Sequence, residues 1–114
     1  MKFSIRSQAA PLGTFEEQVL LAVFRTGSEA YGMNVRRELE QVTGRDVTIG
    51  SVYVTLDRLE SKGLVDSARA ARGEAASRRV FAVTPAGALA LADTRSMRER
   101  LWAGVELRAL LRHA

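Results

Sequence analysis

Three short amphipathic segments, each followed by a glycine, constrain the fold of this chain most strongly. The apolar positions that recur at helical spacing are Phe15, Val19, Ala22 and Val23, then Tyr31, Val35, Leu39 and Val42, and then Val52, Leu56 and Leu59. The glycines that end the three segments are Gly27, Gly44 and Gly63. Because each segment has one apolar face and the links between segments are short, the sequence predicts three helices packed around a shared core.

Polar residues at the helix starts refine this prediction. Thr14 and Glu17 have the spacing of a capping box, in which each side chain accepts a hydrogen bond from the other residue's backbone N–H. Thr48 is a favourable N-cap for the third helix, because its hydroxyl can accept from a free N–H of the first turn. Asp46 and Val47, just before it, are expected to add one or two residues of strand.

Two extended segments and a further helix follow. Residues 64–69 and 79–83 are predicted strands, and residues 70–78 between them have the small side chains of a hairpin tip. Thr84 and Pro85 then provide an N-cap and a proline at the first helical position. We expect the helix that starts there to continue to the C-terminus. The order of three helices, two strands and a helix is that of a winged helix-turn-helix fold, mostly α within the α+β class.

Composition excludes several kinds of function. The chain has no Cys, and His113 is its one His, so a thiolate nucleophile, a Cys-ligated zinc, a disulfide and a His-based metal or catalytic site are not expected. The longest uncharged stretch, residues 80–92, contains Pro85 and Gly87 and is shorter than the about 20 residues of a membrane span. We therefore expect a cytoplasmic protein without cofactor, metal or membrane partner. No acid/base pair or phosphate-binding loop indicates an enzyme.

The predicted outward face of the third helix is mostly small. Such a face suits entry into the major groove of DNA, because bulky side chains would hold the helix away from the base edges. Tyr53 lies at the edge of this face, where its hydroxyl can reach a phosphate. Asp57 repels phosphate, so it either accepts from a cytosine or pairs with a nearby arginine. The predicted DNA-binding residues here are Thr48, Gly50, Ser51, Tyr53, Val54, Asp57 and Arg58.

Basic residues gather in the predicted hairpin, although the whole chain has a net charge of only +4. Arg69, Arg72, Arg78 and Arg79, with Glu74, give +3 within eleven residues. Either half of this pattern alone is typical of a solvated surface. A cationic hairpin beside a helix-turn-helix, however, suits contact with phosphates or with the minor groove. We therefore add Arg72, Arg78 and Arg79 to the predicted DNA contacts.

Residues 50–65, GSVYVTLDRLESKGLV, closely resemble the recognition helix of the PadR family of bacterial transcriptional regulators. The positions that match the family pattern are Gly50, Ser51, Tyr53, Leu56, Arg58, Leu59, Glu60, Gly63 and Leu64. Residues 78–87, RRVFAVTPAG, are similar to the family's second wing strand and its T-P-x-G entry into the last helix. Val54 replaces a frequent proline, and Tyr31-Gly32-Met33 stands where His-Gly-Tyr is more common. The resemblance implies a homodimeric repressor that releases a double-stranded DNA operator on binding a small effector.

The end of the chain indicates a dimer independently of that resemblance. A winged core needs only about 75 residues, and residues 93–114 are surplus to it. They carry the large apolar residues Met97, Leu101, Trp102, Val105, Leu107, Leu110 and Leu111. Exposed apolar patches of this kind mark interfaces, and a symmetric homodimer is the commonest one. The alternative is a helix folded back on its own core. The predicted interface residues are Met97, Leu101, Trp102, Val105 and Leu110, of which Trp102 and Met97 are also predicted to contact a small hydrophobic or aromatic effector.

The sequence thus predicts three parts: a flexible leader (1–11), a winged helix-turn-helix DNA-binding domain (12–92) and a C-terminal dimerisation helix (93–114), continuous with the helix starting near residue 85. The predicted function is sequence-specific transcriptional regulation by a homodimeric repressor that a small effector relieves. Two alternatives stay open, namely a winged-helix protein-interaction module without DNA affinity and a winged-helix repressor of another family.

Overall fold

The structure, a computed structural model, describes residues 11–69 and 78–113. The predicted leader therefore lies almost wholly outside the described residues, and so does Arg72. The helices are α1 (Thr14–Thr26), α2 (Gly32–Thr43), α3 (Ile49–Ser61), α4 (Pro85–Trp102) and α5 (Leu107–Arg112), the strands are β1 (Val65–Arg69) and β2 (Arg79–Val83), and a 3₁₀ turn spans Gly27–Glu29. This order confirms the predicted winged-helix fold class.

The core lies where α1, α2 and α3 meet the strand pair. The largest fully buried side chains are Val19, Leu20, Val23, Val35, Val52, Leu56, Leu59, Val65 and Phe81. The two strands are antiparallel, with Val65 opposite Val83 and Arg69 opposite Arg79. Phe81 carries the pair into the helical core, because its side chain is 1% exposed and its N–H donates to the carbonyl of Ala30 at 3.0 Å. The apolar stripes read from the sequence are thus the packed faces, although Val42 is 57% exposed.

The start of α1 differs from the prediction by one residue. Gly13, rather than Thr14, is the N-cap, and its N–H donates to Glu16 Oε1 at 3.0 Å. The predicted capping box between Thr14 and Glu17 is therefore wrong. Two glutamates follow each other here, so the spacing alone left the register open. The Glu17 carboxylate pairs instead with Arg98 of α4, which raises the pKa of that guanidinium.

The link before α3 contains no strand, contrary to the prediction for Asp46 and Val47. Side chains of α2 satisfy the backbone there instead. The Val47 N–H donates to Glu40 Oε2 at 2.9 Å, and Arg36 Nε donates to the Val47 carbonyl at 2.7 Å. Because these bonds use both polar groups of the peptide backbone at Val47, that residue needs no strand partner.

Close backbone packing joins α4 to the wing. Thr84 is the predicted N-cap, and its hydroxyl accepts from the Gly87 N–H at 3.0 Å and donates to the Gly63 carbonyl at 2.7 Å. A Cβ on Gly87 would lie 2.2 Å from the Leu64 carbonyl oxygen, so only glycine fits. Further along α4, Thr94 is 4% exposed and accepts from the Leu12 N–H at 3.2 Å. The predicted domain boundary at residues 92–93 therefore falls within a helix that the core holds.

The C-terminal helix is shorter than predicted. It ends at Trp102, and a turn closed by the Val105 N–H donating to the Trp102 carbonyl at 2.8 Å leads into the separate helix α5. Gly104 allows this turn, because its φ of +78° is one that other residues rarely adopt. The prediction of one continuous helix to residue 114 is therefore wrong.

Candidate nucleic-acid interface

The structure gathers the predicted residues of α3 on one exposed side of the molecule. Gly50, Ser51, Tyr53, Val54, Asp57 and Arg58 are all exposed, and Thr48 stands exposed at the helix start. Val54 lies among them with 58% of its side chain in solvent, although it is apolar. The opposite side of α3 is buried through Val52, Leu56 and Leu59. The helix therefore presents a small, mixed face that nothing in the described part of the chain covers.

Thr48 and Ser51 are hydrogen-bonded to each other at the start of α3. The Ser51 N–H donates to Thr48 Oγ1 at 3.2 Å, as the predicted N-cap requires. Ser51 Oγ donates to the Thr48 carbonyl at 2.8 Å, and the two hydroxyls lie 3.0 Å apart. Both side chains are therefore held in place, and each can still accept from a base or a water molecule.

Arg79 ties the start of β2 to α3. Its guanidinium donates to Asp57 Oδ1 at 3.1 Å and to a carboxylate oxygen of Glu60, while Ser67 Oγ donates to Glu60 Oε2 at 2.8 Å. Although burial opposes the charge, these acidic partners hold the pKa of Arg79 above its usual range. Of the two alternatives for Asp57, the structure shows the arginine pair. The sequence signals did not identify Glu60 and Ser67 as members of this network.

An ion pair on the other flank joins α3 to α1. Lys62 Nζ lies 2.8 Å from Glu16 Oε2. The hydrogen bond from Lys62 lowers the pKa of Glu16, burial opposes that shift, and the Gly13 N–H and the charge of Arg58 add to the lowering. Both flanks of α3 are therefore fixed by ion pairs, one to the wing and one to α1.

The predicted wing residue Arg78 lies against α2. Its guanidinium carbon is 5.1 Å from the centre of the Tyr31 ring. A cavity of about 190 Å³ opens beside this stack, between α2, the edge of α3 and the start of β2. Tyr53 forms one wall and sits directly over Gly32, where a Cβ would lie 2.6 Å from the tyrosine hydroxyl. Glycine at position 32 thus lets the Tyr53 ring reach this place.

The predicted interface residues at the C-terminus are largely exposed. Leu101, Trp102, Val105 and Leu110 together surround a shallow cavity of about 200 Å³. Met97 is half-buried and does not line this cavity. The structure therefore brings four of the five predicted residues together around one cavity, and Met97 is not among them.

Other site types find no support in the described ranges. Within residues 11–69 and 78–113, no three acidic or histidine side chains converge as metal ligands would. No helix in that part of the chain is both long enough and apolar enough to cross a membrane.

Three packed helices, a two-stranded wing and an exposed third helix with small side chains define a winged helix-turn-helix protein. Comparison with known proteins narrows the class. Residues 20–93 match the transcriptional regulator PadR-like family. The chain is 41% identical over 75 residues to the transcriptional regulator Rv3488 of Mycobacterium tuberculosis (strain ATCC 25618 / H37Rv), a match that covers 65% of this chain and 67% of that protein. The chain belongs to the PadR-like family, and it is a transcriptional regulator rather than an enzyme.

Solved structures agree with this fold. The complex structure of hsRosR-S4 has a TM-score of 0.70 at 26% identity and covers 96% of this chain and 90% of that one. The RosR structure from H. salinarum has a TM-score of 0.67 at 25% identity, covering 90% and 87%. A PadR family regulator from Clostridium difficile R20291 has a TM-score of 0.59 at 23% identity, covering 82% and 97%, which supports the fold alone.

Proposed function

We propose that this chain is a cytoplasmic, sequence-specific DNA-binding regulator that acts as a homodimeric repressor and is relieved by a small effector. The observation that carries DNA binding is the exposed face of α3, fixed on both flanks by ion pairs and adjoined by Arg78. In this proposal Ser51, Val54 and Arg58 contact bases, and Tyr53 and Arg78 contact phosphates. Arg79, engaged by acidic partners, positions the wing.

Selection of duplexes from a random library, followed by fluorescence anisotropy with a selected and a random duplex, tests sequence-specific binding. Val54→Ala and Arg58→Ala should reduce the preference for the selected duplex, because each removes a contact to a base edge. Arg78→Ala should weaken binding to both duplexes equally, because phosphates carry no sequence information. Arg95→Ala on α4 is the control, and it should leave the preference unchanged. Equal affinity of the native protein for both duplexes would refute sequence-specific binding.

The homodimer in this proposal is supported by the apolar side chains near the end of α4 and in α5. Leu101, Leu107 and Leu111 are each more than 60% exposed, and α5 contains no buried residue. Removing such surface from water is favourable by about 25 cal/mol per Å². Two copies that cover each other's exposed leucines would present two α3 helices to half-sites about one DNA turn apart.

The effector in this proposal binds beside Trp102, at the cavity that Leu101, Val105 and Leu110 also surround. Trp102 is the one tryptophan of the chain, so its fluorescence reports on this place alone. A panel of flat aromatic compounds should contain quenchers that also release DNA from the protein. Quenching without DNA release would indicate a ligand with no regulatory effect.

A protein-interaction module without DNA affinity is the second candidate. A groove of about 440 Å³ between α1 and α2 favours it, because Leu21, Phe24 and Val42 at this groove are each more than 40% exposed. If the native protein is folded by circular dichroism but binds no duplex in the anisotropy assay, this second candidate is favoured.

A further inference from the structure

The cavity between α2, α3 and β2 is lined mainly by groups that can donate hydrogen bonds to an anion. Asn34 and Arg37 come from α2, Tyr53 comes from α3, and Arg78 comes from the start of the wing. Its volume of about 190 Å³ equals that of about six water molecules at ~30 Å³ each, which is ample for one phosphate group. The cavity lies between Tyr53 of the exposed α3 face and the wing.

A hydrogen bond to Asn34 restrains Arg37 within this wall. Asn34 Nδ2 donates to the carbonyl of Glu29 at 2.8 Å, which anchors the amide to the end of the 3₁₀ turn. Arg37 Nη1 then donates to Asn34 Oδ1 at 3.0 Å. A guanidinium has five N–H donors, so this bond leaves four for a ligand. Asn34 therefore acts as a positioning residue for the charge of Arg37.

Arg78 is restrained from the other side. Its guanidinium lies over the face of Tyr31, an arrangement that holds a cation without using its N–H donors. Tyr53 adds a phenolic hydroxyl in a ring position that Gly32 fixes. Three donors from three separate elements thus line one cavity, and two of them carry a positive charge.

The charge in the cavity is not compensated from within the described ranges. Arg79 also lines it, but Asp57 and Glu60 pair with that guanidinium. By contrast, no carboxylate of residues 11–69 or 78–113 lies within 4.0 Å of Arg37 or Arg78. Pre-oriented guanidinium groups bind phosphate more strongly than flexible ones, because less side-chain freedom is lost.

We propose that this cavity is a phosphate-binding site in which Arg37, oriented by Asn34, and Arg78, stacked on Tyr31, hold one backbone phosphate of the bound DNA. The inference rests on the proposed function and adds α2 to the contacts of α3 and the wing. The contact sets how far α3 enters the groove and carries no sequence information.

Arg37→Gln tests the site through the salt dependence of binding to a random duplex. The slope of log K against log salt should fall in magnitude by about one, since the variant loses one cationic contact to phosphate. The ratio of native to variant affinity should therefore be about 3.5-fold smaller at 200 mM salt than at 50 mM salt, since each phosphate contributes ~0.9 to the slope. Arg95→Gln removes the same charge from an exposed pair on α4 and should leave the slope unchanged.

Asn34→Ala tests the positioning role, since it keeps every charge. Affinity should fall severalfold with an unchanged salt slope, and the substitution should have no further effect on binding in the Arg37→Gln background. A merely structural role of Asn34 would lower the melting temperature and weaken binding equally in both backgrounds, which would overturn the positioning role.

The remaining outcomes separate this inference from the proposed function. If the native protein binds duplex DNA and Arg37→Gln leaves the slope unchanged, the DNA-phosphate site is overturned while DNA binding stands. If the slope is unchanged in this way but inorganic phosphate shifts the Arg37 side-chain signals in a nuclear magnetic resonance titration, the cavity binds free phosphate instead of DNA phosphate. If the native protein binds no duplex at any salt concentration, both proposals fail.

Discussion

The winged core and the end of the chain solve the burial of apolar side chains in opposite ways. In the core, Leu20, Leu56 and Leu59 are fully buried. In the C-terminal arm, which we define as residues 101–113, every large apolar side chain is exposed. They are Leu101, Trp102, Val105, Leu107, Leu110 and Leu111, with exposed fractions between 43% and 74%.

This difference indicates that a single chain buries the apolar side chains of its core but leaves those of the arm exposed. The core gains its stability from burial within the chain, which is worth about 1.5–3 kcal/mol for each large apolar side chain. The arm gains less, because none of its large apolar side chains is fully buried. In addition, α5 has only 6 residues, far below the about 12–15 that an isolated helix needs for marginal stability. Substitutions in the core should therefore change folding, while substitutions in the arm should change association.

The largest expected effect comes from opening a cavity in the core. Leu56→Ala should lower the free energy of unfolding by about 2–5 kcal/mol, because its side chain is fully buried. Urea denaturation followed by circular dichroism measures this. Leu111→Ala in the arm is the matched control and should change unfolding of the monomer by less than about 0.5 kcal/mol, since that side chain is 74% exposed. Equal effects of the two substitutions would remove the distinction between core and arm.

The next effect sharpens the role of the arm. Trp102→Ala should weaken the proposed homodimer by about 2 kcal/mol, or about 30-fold in its dissociation constant, because aromatic side chains dominate interface energies. Sedimentation equilibrium measures the constant. Val54→Ala, at an exposed apolar position of α3, should leave it unchanged. A dimer that survives both substitutions would place the interface elsewhere on the chain.

A smaller effect concerns Arg78 and Arg79 at the start of β2, where the wing joins the core. Arg79→Ala should lower the free energy of unfolding by about 1 kcal/mol, since it leaves Asp57 without its guanidinium partner and Glu60 with the Ser67 hydroxyl in place of a charged donor. Arg78→Ala should cost no more than half as much, because it removes a single exposed stack on Tyr31. Thermal denaturation of both variants checks this. A larger loss of stability in Arg78→Ala than in Arg79→Ala would contradict the role of Arg79 in holding β2 to α3.

The smallest effect is a dependence of core stability on pH. Lys62 lowers the pKa of Glu16 below its ordinary value of 4.5 in the folded protein. The contribution of this pair is therefore fully present above pH 4.5 and is lost as the pH falls through the lowered pKa. We expect less than about 1 kcal/mol, because the Lys62 side chain is half-exposed. Lys62→Gln should flatten the dependence of the unfolding free energy on pH below pH 4.5, and an unchanged dependence there would disprove this assignment.

Local sequence signals were sufficient for most of the fold. Apolar spacing located α1, α2 and α3, and the hydroxyls of Thr48 and Thr84 marked the starts of α3 and α4 to the residue. These signals succeed because the bonds that they describe lie within one helical turn. The same reasoning failed at Gly13, where two adjacent glutamates offered two registers, and at Val47, whose backbone partners belong to α2.

The candidate site shows the same limit more strongly. The exposed face of α3 followed from a helical wheel, but the partner of Asp57 is 22 residues away along the chain. Asn34 and Arg37 were not among the predicted contacts. Both lie in α2, and no local pattern in the sequence connects them to α3 or to the wing. Only the approach of α2, α3 and β2 in space gives these residues a common cavity.

The bonds that Arg79 makes to Asp57 and Glu60 have a consequence for how this protein would acquire a new target. Asp57 stands on the exposed face of α3 and also holds the hairpin in place. A substitution there alters the exposed face of α3 and removes one of the two ion pairs of Arg79 in one step, so its two effects cannot be selected separately. Positions 51 and 54 carry no such link to the hairpin among the described contacts. Changes of specificity should therefore accumulate first at these positions, with Asp57 changing only together with Arg79.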